Sequence, residues 1–170
     1  VGLLTFPGAE CVGQLRVLDI GLPANLHPAN LEPEQGIDLE LLGPDWVGEH
    51  LPNRPLDSHK GTFGHALIVA GSRSYAGAAF LAAQAAVRTG AGLVTLATPK
   101  SVYPIAAGKL TEVIHLPLPE DKDGLIHPDA AGLIRSILSR YETLAVGCGL
   151  GRSEGTRQFI ERLVVDEPRL

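Results

Sequence analysis

From Ala66 onward the chain alternates short unbroken apolar runs with longer segments in which apolar residues recur every three or four positions. Ala66–Ala70 is a continuous apolar run closed by glycine, the pattern of a strand buried on both faces. Ala76–Thr89 is built of helix formers with small residues on several faces, and Gly90 supplies its stop. Leu93–Ala97 reads as the next strand, Ser101–Ala107 as a helix and Glu112–Leu116 as a third strand. Pro117–His127 is a polar stretch holding Glu120, Asp121, Lys122 and Asp123, expected to be a solvated surface loop. In Asp129–Arg140 apolar residues fall at 130, 133, 134, 137 and 138, a helical stripe. Thr143–Val146 is a fourth strand. Ser153–Val165 is a last helix, with Ser153 as N-cap and Phe159, Ile160, Leu163 and Val164 on its buried face. Strands alternating with helices at this spacing predict an α/β fold, a mostly parallel sheet with helices on both faces.

The first third lacks this rhythm. Val1–Phe6 and Gln14–Ile20 are short apolar segments around a turn-like PGAECVG, able to pair with each other or to edge another sheet. Gly21–Pro44 is rich in Pro, Asn, Glu and Gly without periodicity, which is linker composition. Pro44–Leu51 can open a short helix, and Pro52–Ser58 returns to coil.

Composition narrows the function classes. A chain of 170 residues supports one domain with a real core. Aromatic residues are only 5% and glycines number 20, so the core is packed from aliphatic residues and alanine. The net charge of −5, without any run of Lys or Arg, excludes a nucleic-acid surface, and no nucleic-acid partner is expected. Cys11 and Cys148 stand far apart, and no His or Cys spacing suits a metal, so a metal site and a disulfide framework are not expected. Reduced cysteines suggest a cytoplasmic protein. No signal peptide is legible, and no apolar run nears the ~20 residues that span a bilayer, so no membrane association is expected. The absence of methionine and the finish on a helix suggest that both ends are cut.

Three turns can carry chemistry. In GSRSYAGA, Gly71 turns the chain off the strand, Ser72 follows, and Gly77 with Ala78 keeps the helix start open to an anion or polar group. The same glycines equally suit tight strand-to-helix packing. VGCGLGR places Gly147, Gly149 and Gly151 directly after a strand, but Arg152 stands where a dinucleotide fingerprint wants glycine or alanine. Alone it is more simply a permissive turn; together the two turns would lie on the strands' C-terminal edge, where ligands gather. HKGTFGH offers Lys60 to a phosphate, although an ordinary coil lysine explains it too. No Ser/His/Asp set or paired carboxylates can be read.

Taken together, HKGTFGHALIVAGS, SYAGAAFLAAQAAVRTGAGLVTLATP and LAVGCGLG resemble the first half of the ribokinase-like NAD(P)H-hydrate dehydratase domain. The third motif is similar to the family's GPGLG, with Cys148 in place of proline. FPGAECVGQLRVLDIGLP looks like the end of an NAD(P)H-hydrate epimerase domain. The resemblance implies an epimerase tail over residues 1–24, a linker over 25–38 and the N-terminal part of the dehydratase domain over 39–170. It further implies ADP- or ATP-dependent repair of hydrated NADH and NADPH, with Mg2+ for the dehydratase, K+ for the epimerase, and a homo-oligomer. By motif, Ala78 and Gly149 are positions that contact the hydrated dinucleotide. The family's G-T-G-D turn, with its catalytic aspartate, and its H-P-G-E segment do not occur in these residues, so no catalytic residue is assigned and the isolated chain is expected to be inactive. Rival readings are another ribokinase-like small-molecule kinase, a Rossmann-type oxidoreductase, or a non-catalytic nucleotide-binding module. The oxidoreductase wants an acid ~20 residues after its glycine loop, and AGLVTLATPK supplies none.

Overall fold

The computed structural model describes residues 5–16, 18, 21 and 42–164. The chain divides into two units, Val1–Asn53 and Arg54–Leu170. In the first, Gly8–Cys11 makes a 3-10 turn and Pro44–His50 makes helix α1. Pro44 suits the first helical turn, where its missing N–H has no intrahelical acceptor. The Trp46 and His50 rings stack at 3.8 Å, one turn apart. The expected strands at 1–6 and 14–20 fall partly outside the described residues, and Thr5–Arg16 contains no strand. The linker at 25–38 lies wholly outside them.

The second unit holds a four-stranded sheet of β1 (His65–Val69), β2 (Leu93–Pro99), β3 (Ile114–Leu118) and β4 (Thr143–Val146) in the order β3-β2-β1-β4. All neighbours are parallel. Helices α2 (Ala76–Thr89), α3 (Tyr103–Ala107), α4 (Ala130–Ile137) and α5 (Glu154–Val164) fill the intervals. Alternate side chains of a strand face opposite ways. Ala66, Ile68, Val94 and Leu96 therefore pack under α2 and α3, against Ala79, Ala83, Val102 and Ala106. Leu67, Val69, Ala97 and Leu118 face the other way, against Ala130, Ile134, Phe159 and Leu163 of α4 and α5. The chain steps from β1 to β2 to β3 in one direction and then returns past them to β4. With crossovers of one hand, that reversal moves the connecting helix to the opposite face, as the two cores show.

The sequence reading differs from the structure in several places, including β2, which runs on to Pro99, and α3, which starts at Tyr103 rather than Ser101. Strand β3 is shifted two residues and contains Pro117, which an edge strand tolerates because one side of its backbone needs no donor. The helix expected to Arg140 tightens into a 3-10 turn at Leu138–Arg140, and Leu133 stays exposed. Val164, expected on the buried face of α5, is exposed beside the buried Leu163. The polar stretch before α4 is not simply solvated. Leu118 and Ile126 are buried, Glu120 bridges Ile126, and Asp121 Oδ1 accepts the amides of Asp123 (2.9 Å) and Leu125 (3.0 Å).

Candidate functional site

Helix α2 leaves the end of β1 on one face of the sheet, whereas α5 leaves the end of the adjacent β4 on the other. Neighbouring strands whose following helices diverge open a crevice at their C-terminal ends, where parallel sheets bind ligands. Both glycine turns flank this crevice. The Gly71 amide donates to the Cys148 carbonyl at 2.8 Å, and the Ser72 hydroxyl donates to the Gly149 carbonyl at 2.8 Å. Ser72 is fully buried, so its hydroxyl acts as a latch between the turns.

Two glycines cannot be replaced without moving this junction. Gly71 has φ +86°, and a Cβ there would stand 2.7 Å from the Ala79 Cβ. Gly149 has φ +72°, and a Cβ there would stand 2.6 Å from the Ala78 Cβ and 2.8 Å from that of Tyr75. The left-handed region and the close approach both demand glycine. Gly77 is different: its backbone is ordinary and a Cβ would meet open space. Nothing in the packing requires it.

The crevice contains a cavity of about 510 Å³ lined by Tyr75, Ala78, Gly147, Gly149, Gly151 and Arg152, with Leu150 behind them. Its walls are largely backbone and small side chains. A second depression of about 410 Å³ shares Gly151 and Arg152 and runs along α5 past Thr156 and Ile160. Ser153 caps α5 as expected, its hydroxyl accepting the Thr156 amide at 3.0 Å. Hydrogen bonds from Arg157 and Gln158 hold the Glu154 carboxyl down to about 2, and Arg157 also pairs with Glu161.

Of the residues singled out by sequence, Gly71, Ser72, Ala78, Gly147 and Gly149 gather at this crevice, and Gly77 lies on the exposed side of the first turn of α2. Lys60 does not. Its segment packs at the opposite end of the sheet, its carbonyl against Gly92, while Gly92 and Leu93 donate to the carbonyls of Phe63 and Gly64. Five strand residues at ~3.3 Å each put Lys60 about 15 Å from the glycine turns.

Other rim residues went unseen in the sequence. The Arg73 amide donates to the Gly124 carbonyl at 3.0 Å, and Leu125 packs on Gly151. Glu120 accepts the Ser101 amide (2.9 Å) and hydroxyl (2.7 Å). A hairpin thus braces both turns from outside. Only the Asp-x-x-Gly signature at 121–124 hinted at its turn. Among the described residues no group of three or more His, Cys, Asp or Glu can hold a metal.

A parallel sheet with helices on both faces and a backbone-lined crevice at its chain reversal defines a doubly wound α/β protein, and its fold is that of ribokinase-like structures. It superposes with TM-score 0.61 on a ribokinase-like superfamily protein from Enterococcus faecalis, at 23% identity over 74% of this chain and 41% of the other. The chain belongs to the NAD(P)H-hydrate dehydratase family, whose profile matches residues 66–168. It is 39% identical, over 96% of its length, to the bifunctional NAD(P)H-hydrate repair enzyme Nnr of Moorella thermoacetica, and covers 30% of that protein. It matches the Bacillus subtilis ADP/ATP-dependent NAD(P)H-hydrate dehydratase co-crystallized with ATP/Mg2+ with TM-score 0.55 and 31% identity, covering 71% of this chain and 40% of that one. The chain spans under a third of the length of its Moorella relative.

Proposed function

We propose that this chain forms the substrate-cradling part of an enzyme that returns hydrated NADH and NADPH to NADH and NADPH. The observation that carries the reading is the junction of two glycine turns at the β1/β4 crevice, in a chain of the dehydratase family. Ala78 and Gly149 stand face to face there, and small residues leave room for a flat ring system to approach the backbone. In this reading ADP or ATP phosphorylates the hydroxyl added to the nicotinamide ring, and loss of phosphate restores the ring. The residues that bind the nucleotide and move the proton are assigned outside these 170. Among the described residues no cluster of three or more His, Cys, Asp or Glu stands together, and no residue is assigned to Mg2+ or K+. The division into an epimerase tail, a linker and a dehydratase head and the homo-oligomer rest on the family resemblance, and the cytoplasmic location on the reading of the cysteines as reduced.

The test uses the full natural polypeptide. Reading its gene beyond both ends should reveal G-T-G-D and H-P-G-E downstream and the epimerase's D-x-P-S-G upstream. The purified protein with ADP or ATP should release phosphate from hydrated NADH while NADH absorbance returns. A persistent phosphorylated product would make it a kinase instead. Ala78→Leu fills the cavity from a half-buried position in the first turn of α2, beside Gly149, and should raise the KM for the hydrate by roughly tenfold or more. An unchanged KM would make the crevice structural only.

A further inference from the structure

Arg152 is the one charged residue that lines both depressions, and it stands on the divide between them. Nearby arginines are engaged: Arg157 by Glu154 and Glu161, and Arg73 by the Lys122 carbonyl at 3.3 Å. The Arg152 guanidinium is exposed and has no hydrogen bond or ion pair among the described residues. Its backbone is fixed on both sides, by the glycine turn whose Gly151 abuts Leu125 and by the Ser153 cap of α5. A cation so held, with five fork-like donors and no partner, is suited to a phosphate.

The two depressions decide which kind of phosphate. One is walled by backbone, Ala78 and Tyr75, and the other has an apolar floor at Ile160. A dinucleotide has the same plan, two ring-bearing halves joined by charged phosphates. We propose that Arg152 holds a phosphate of the dinucleotide while one half occupies the Ala78–Gly149 cavity and the other lies along α5. This rests on the reading of the ligand as a hydrated dinucleotide and adds the residue that anchors its charge. The sequence had marked position 152 only as a departure from a nucleotide fingerprint; here the departure is the recognition element.

The experiment compares wild type, Arg152→Gln and Arg152→Lys in the full natural polypeptide. Binding of NADP+ and NAD+ is followed by calorimetry at low and high salt, alongside steady-state kinetics with hydrated NADPH and NADH. Loss of a charge-assisted contact should weaken binding and raise KM by about ten- to a hundredfold, with kcat nearly unchanged. The lysine variant should recover part of the loss as a point charge, and the glutamine variant should show a flatter salt dependence. Equal losses for both dinucleotides place the bridging pyrophosphate on Arg152; a loss confined to the phosphorylated pair places the 2′-phosphate there. Arg152→Gln binding both dinucleotides as wild type does overturns the proposal. So does a wild type that binds neither. A wild type that binds dinucleotides through Arg152 yet repairs no hydrate retains the anchor and sinks the dehydratase reading alone.

Discussion

At the scale of single residues, the two ends of the sheet divide the labour. At the N-terminal end His65 is held by Thr95, whose hydroxyl lies 2.8 Å from Nε2, and by the Tyr141 ring at 4.3 Å. Burial lowers its pKa, and the nearby Glu142 carboxylate opposes the shift. A folded-state pKa below the unfolded one means that the unfolded chain takes the proton first. The contribution is therefore full above the ordinary imidazole range and is lost as pH falls from there through the lowered folded value. Urea unfolding of wild type should show a drop between pH 7.5 and 5 that His65→Gln reduces; equal drops would mean that His65 is not the group responsible. At the C-terminal end the corresponding residue is Ser72. Ser72→Ala leaves the Gly149 carbonyl without its donor and should cost about 1–2 kcal/mol in the same assay.

At the scale of elements, α2 lies low on the sheet because it meets it through alanine. Ala79 and Ala83 sit over Ala66, Ile68 and Ala70, and the turn at Gly71 fits beneath Ala79. Gly71→Ala must push the helix away and adopt a strained φ, so a loss of about 2–4 kcal/mol is expected in thermal or urea unfolding. A loss below about 0.5 kcal/mol would show that the turn can relax. β1, α2 and β4 were legible because each matches an unbroken apolar or helix-forming run to within a residue, and β1 is buried along nearly its whole length. The errors fall where burial is one-sided or achieved by few residues. Pro117 reads as a strand breaker until the strand is known to be an edge. Leu125 and Ile126 are only two adjacent apolar residues after a charged stretch, so the burial of Ile126 leaves no periodic trace. Both glycine turns could be named from sequence, but not the hydrogen bonds joining them, since Ser72 and Gly149 are 77 residues apart.

At the scale of the molecule, the two edges of the sheet differ. Among the described residues β3 and β4 each pair on one side only. Pro117 blunts β3, whereas β4 offers Thr-Leu-Ala-Val without charge or proline, and Ala145 and Val146 are exposed. Such an edge is a template for pairing with another chain. The 170-residue polypeptide should therefore associate as concentration rises in light scattering, and Thr143→Lys, away from the glycine turns, should suppress this. Concentration-independent mass in the wild type would mean that the edge is already protected.

The crevice walls of Gly147, Gly149, Gly151 and Ala78 present main chain to a ligand. Such a surface selects on backbone conformation and volume rather than on side-chain chemistry. A library randomised at these positions and selected for repair should return glycine at 147, 149 and 151, where φ is positive, and an upper limit on size at 78.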